Sequence, residues 1–126
     1  MIIRKTLMTL AAASMMVPAL ASAGETAPQA GAFTVKTTTD YRVKEAVKSF
    51  KSGDFTRSIA YSQKAIEEGL STKREAIAFS NLCAALAASG DMNAATEACD
   101  TALELRPDYA PAVDNKAALT VMLAQK

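Results

Sequence analysis

Two cysteines are the side chains in this 126-residue chain whose type and spacing announce covalent chemistry. Cys83 stands seven residues before Gly90 and Cys99 nine after it, so a helical hairpin folding back at Gly90 sets both at similar heights on facing helices. An even cysteine count in an exported protein favours oxidation of such a pair. Loop closure by that bridge is expected to stabilise the hairpin by about 3 kcal/mol, and two buried thiols packing as small apolar side chains are the alternative. The pair is not spaced as Cys-x-x-Cys, which argues against redox catalysis.

The remaining inventory points to binding rather than reaction. The chain has no His, and so lacks the usual general base near neutral pH and the commonest metal ligand. Each Gly falls in the leader, the linker or a turn, so no Gly-rich phosphate loop exists. The paired carboxylates Glu67 and Glu68 lie on an outer helix end, where solvation accounts for them. The sequence therefore predicts no enzyme, no catalytic residue, no cofactor and no metal. Twelve basic against thirteen acidic residues remain beyond residue 23, and such a balance argues against nucleic acid as a partner. The halves differ: Lys36–Arg74 carries nine basic and five acidic residues, Glu75–Lys126 three and seven.

The elements that would position these residues centre on Ala76–Pro107. Phe79, Leu82, Cys83 and Leu86 recur at steps of three and four, which places them on one helical face. Gly90-Asp91 breaks the period. Ala94, Ala95, Ala98, Cys99, Ala102, Leu103 and Leu105 then form a second stripe, and Pro107 ends it. So short a turn joins only antiparallel helices. Cys83, Ala95 and Ala102 are small where the two axes would come closest.

This pattern resembles the tetratricopeptide repeat, in which two helices per repeat stack into a solenoid. Phe79, Leu82, Cys83 and Leu86 match the first helix of its signature, Gly90 the turn, and Ala95, Ala102 and Pro107 the second helix. Cys99 departs from it, since the family places an aromatic there. The resemblance implies an all-α fold of tandem antiparallel hairpins. It also implies that the first helix of each pair lines a groove for a partner's peptide or helix. Positions on that face are Val43, Val47, Phe50 and Lys51 in the first unit and Ile77, Ser80, Ala84 and Ala88 in the second. The family's clamp for chaperone carboxylates is not carried over, because Val43, Val47, Ser80 and Ala84 stand where it needs polar residues.

The unit is written twice. Gly53-Asp54 and Gly90-Asp91 are 37 residues apart, as are Ala65 and Ala102, with three residues beyond the family period placed in Gly69–Arg74. The first copy matches less well, with Arg42, Glu45 and Ser58 where Phe79, Leu82 and Ala95 stand. In its first helix Val43, Ala46, Val47 and Phe50 form the apolar stripe, and Lys44, Lys48 and Lys51 the wet side. Thr72 and Glu75 have capping-box spacing for the third helix. Asp108 is expected to cap a fifth, with Pro111 in its first turn. In that helix Val113, Ala117, Leu119, Val121 and Leu123 are expected to cover the array's end, with Asp114, Asn115 and Lys116 in water.

Residues 1–23 read as a secretory signal: Arg4 and Lys5, an apolar run Leu7–Leu20, and Ala21-Ser22-Ala23 for cleavage. The run is shorter than the roughly 20 residues of a span, so no membrane span is expected after cleavage. Residues 24–40 read as a flexible linker, with Phe33 and Val35 alternating in it. A mobile tail is expected, and a place along a groove is the alternative. Residues 41–126 then form the repeat domain. The sequence thus describes an exported chain, periplasmic or secreted, that binds an apolar segment of a protein partner. The alternative is self-association, basic first unit on acidic second unit.

Overall fold

The structure, a computed structural model, describes residues 30–125; the expected leader, the start of the linker and Lys126 lie outside them. It is all-α among those residues, with α1 Tyr41–Lys51, α2 Phe55–Glu68, α3 Thr72–Ser89, α4 Met92–Leu105 and α5 Ala110–Ala124. Each helix packs on the next. The odd-numbered helices also touch one another, α1 on α3 and α3 on α5, whereas α2 and α4 do not meet. Two hairpins and a fifth helix therefore stack as a solenoid, with α1, α3 and α5 forming its inner layer.

The two hairpin turns are built alike. Gly53 and Gly90 have φ of +83° and +97°, a region that an L side chain rarely adopts. Asp54 N–H donates to the Ser49 carbonyl and Asp91 N–H to the Leu86 carbonyl, each at 2.9 Å. Asp54 then caps α2 through the Arg57 amide and Asp91 caps α4 through the Ala94 amide. The crossings match too. Ser58 and Ala95 are both fully buried, and the Ser58 hydroxyl donates to the Ala46 carbonyl, so a polar side chain fits where the second copy uses Ala. Because α3 is sandwiched on several sides, Ala76, Ala78, Ala84, Ala85, Ala87 and Ala88 are all buried around it.

Helix α1 starts at an anchored carboxylate. Asp40 accepts from the Arg42 and Val43 amides, and its carboxylate pairs with the Arg42 guanidinium at 2.6 Å. Arg42 also reaches Glu68 at 2.9 Å, tying the start of α1 to the end of α2. The Arg42 side-chain hydrogen bond, opposed in part by desolvation, holds the Asp40 carboxyl below its ordinary 3.8, at about 2. A depressed carboxyl stabilises the fold fully above its unfolded value and loses that effect as the pH falls through its folded one. Asp40→Asn is therefore expected to cost about 1 kcal/mol at pH 7. Urea melts at pH 7 and at pH 2 check this, because the difference should be mostly lost at pH 2, where the folded carboxyl is half protonated, and should fade below it.

Three expectations are corrected at the ends of α3 and α5. Ser71, not Thr72, precedes α3, and it makes no side-chain cap; Thr72 is already helical, so the Thr72–Glu75 box does not form. Tyr109 rather than Asp108 precedes α5, again without a side-chain cap, while Pro111 does fall in the first turn. The phase of α5 also differs from that expected. Ala112, Asn115 and Leu119 face inward, whereas Ala117 is exposed, as are Val113 at 46%, Val121 at 57% and Leu123 at 43%. Asn115 is not in water but fully buried, because the linker brings main-chain partners to it.

Candidate functional site

The site is the inner face of α3 and α5, and it is built around two asparagines. Asn81 lies in the middle of α3 and Asn115 on the inward face of α5; both are buried, at 2% and 0% exposure. A buried amide with two donors and an acceptor requires partners. Asn115 Oδ1 accepts from the Thr34 amide at 2.7 Å, and Asn115 Nδ2 donates to the Thr34 carbonyl at 2.9 Å. Asn81 Oδ1 accepts from the Lys36 amide at 2.9 Å, and Asn81 Nδ2 donates to the Lys36 carbonyl at 2.8 Å. Each asparagine thus pairs with one residue's N–H and C=O, as a neighbouring strand would. Thr34 and Lys36 are alternate residues, which in extended chain turn their main-chain groups to the same side.

Residues Phe33–Lys36 therefore form an extended strap across α3 and α5. Of the two expectations for residues 24–40, a mobile tail and a place along a groove, the arrangement of this part corresponds to the second. The strap's hold on side chains is lighter: Phe33 is buried in a core shared with Phe50, Ala84, Ala88 and Leu119, while Lys36 and Thr37 are exposed. Beneath it, Ser80 supports Asn115, whose Nδ2 lies 3.2 Å from both the Ser80 carbonyl and hydroxyl oxygens. Beside it opens a cleft of about 440 Å³ lined by Gly31, Phe33, Val35, Phe50 and Lys51.

The face that sequence assigned to the groove is distributed as follows. Phe50 and Lys51 line the cleft, Ala84 and Ala88 lie in the core with Phe33, and Ser80 supports Asn115. Val47 is buried, and Val43 packs with Ala65, Ala78 and Ile77. Ile77 also meets the cluster of Ala102, Tyr109 and Ala112 under α5. Sequence reasoning did not single out Asn81 or Asn115. A signal for them exists: they are 34 residues apart, three fewer than the 37 between the two Gly-Asp turns and equal to the period of the family the sequence resembles, and they lie on successive inner helices.

Cys83 and Cys99 are joined by a disulfide, with Cα atoms 5.2 Å apart and both residues fully buried. The bridge ties α3 to α4 two residues beyond Asn81, so it stiffens the helix that carries half of the strap's seat. Such a bond is compatible with an oxidising compartment. Among the described residues no cluster of His, Cys, Asp or Glu could hold a metal, and no helix is long and apolar enough to cross a membrane. Lys116, which follows Asn115 on α5, pairs with Asp100 and joins α4 to α5. Set against family models, curated proteins and solved structures, the chain matches none of them, so its reading rests on the geometry above.

Proposed function

We propose that this chain is an exported tetratricopeptide-type module, periplasmic or secreted, whose inner face holds an extended, partly apolar segment of another envelope protein. The observation that carries the reading is the pairing of Asn81 and Asn115 with an extended main chain on the inner layer of a helical solenoid. Main-chain hydrogen bonds supply affinity to any extended segment, and an apolar pocket beside them supplies selection. The open cleft against Phe50 fits the second role. Export is supported by the signal-like leader in the sequence and by the buried disulfide.

A photoreactive residue in place of Lys51, which is exposed at the cleft rim, tests the reading in the cell of origin. The expected product is an adduct with a different envelope protein on a chain cleaved after Ala23. Adducts confined to the chain itself, or an uncleaved product in the cytosol, count against it. A second reading is self-association of the basic first unit with the acidic second unit of another copy, and the opposite charge imbalance of Lys36–Arg74 and Glu75–Lys126 favours it. Sedimentation in low and high salt separates the two, since only a charge-driven assembly dissociates as salt rises.

A further inference from the structure

We infer that Phe33–Lys36 is a tethered, displaceable occupant of the groove, and that the partner segment which replaces it is an extended stretch with the same alternation of apolar and indifferent positions. This rests on the reading of the module as a peptide holder and adds a gate to it. Three observations carry it. First, Asn81 and Asn115 touch only main-chain atoms of the strap, which any non-proline residue provides, so the seat does not depend on the strap's own side chains. Second, the strap's selective contact is the buried Phe33, with Val35 half-buried and Lys36 turned to solvent. Third, the strap does not cover the end of α1 closely, because a cleft walled by the strap itself on one side separates it from Phe50 and Lys51 on the other.

The occupant is attached to α1 through residues 37–40 alone. A short tether presents its segment at an effective concentration of about millimolar. A free peptide with the strap's sequence is therefore expected to half-displace it only near millimolar concentration. A partner must carry more than the strap does, and a larger side chain laid directly on Phe50 and the Lys51 stem, which the strap leaves partly uncovered, is the available gain. The strap thus sets a threshold: weak extended segments are rejected and a matching one exchanges with it.

The test uses the full mature chain and a labelled peptide, GAFTVKTT, copied from Gly31–Thr38. In the variant Thr34→Pro with Lys36→Pro both strap amides that donate to the asparagines are lost, while the seat is untouched. The peptide is expected to bind this variant at least 10-fold more tightly than the unaltered chain. Adding Asn81→Ala should reverse that gain. On the unaltered chain, native-state hydrogen exchange should release the Thr34 and Lys36 amides at least 100-fold faster than the amides in the middle of α3. Exchange of these two amides only with global unfolding, failure of the double-proline chain to fold, or equal peptide binding by both chains would each overturn the gate. So would a dimer in which straps are traded between copies. Cross-linking from Lys51 reports separately: a fixed strap with an intact partner adduct removes the gate but leaves the module, whereas a gated strap with no adduct does the reverse.

Discussion

Replacing Cys83 and Cys99 together by alanine is expected to lower the thermal midpoint by roughly 12–24 °C. The bridge closes a 16-residue separation, for which loop entropy gives about 3 kcal/mol. In a domain of this size each kcal/mol moves the midpoint by roughly 4–8 °C. Burial adds to the effect: both cysteines lie at the tightest part of the α3–α4 crossing among Ala84, Ala85, Ala95 and Ala98, so the lost sulfurs leave unfilled space. Serine should be worse than alanine there, since its hydroxyl would be buried without a designed partner. Because neither sulfur is reachable in the folded state, reductant should act only as fast as the hairpin opens. Melts of the oxidised, reduced and double-alanine forms give the comparison, and coincident curves would show that the bridge contributes nothing.

Asn115→Leu is expected to cost about 2–4 kcal/mol although leucine is similar in size and α5 is otherwise apolar. The substitution leaves the Thr34 amide and carbonyl without partners and removes the amide that meets Ser80. The strap must then lift to rehydrate its main chain, taking Phe33 out of the core. Urea melts give the magnitude, and hydrogen exchange at Thr34 gives the cause. A stable Asn115→Leu chain whose Thr34 amide stays protected would show that the strap is held by Phe33 instead. Asn81→Leu should act in the same direction at Lys36, with a smaller loss, because that end of the strap is already exposed.

The hairpins were legible because their determinants are local. Gly53 and Gly90 need positive φ, each is followed by an aspartate that caps, and the small residues Cys83, Ala95 and Ala102 recur where helices cross, all of them fully buried. The disulfide was half legible: antiparallel pairing set the two heights, but whether the Cα atoms come within bonding reach depends on interhelical distance. The phase of α5 was misread because apolar periodicity weighs side chains, and this helix has an apolar outer stripe, Val113, Ala117 and Val121, beside an inner face that carries an asparagine. The strap, together with Ser80, makes that face satisfactory for Asn115. The strap itself had almost no signature, since Phe33 and Val35 are its only apolar marks and its grip comes from backbone groups common to every residue. What sequence does retain is the 34-residue interval between Asn81 and Asn115, visible once the seat is known.

The strap also has a mechanical consequence. It crosses from α3 to α5 and is fastened at one point on each. A tie spanning two helices opposes their separation, so the strap and the Lys116–Asp100 pair together limit how far α5 can swing from the second hairpin. Whatever occupies the strap's seat therefore sets how stiffly the last helix is joined to the rest of the array.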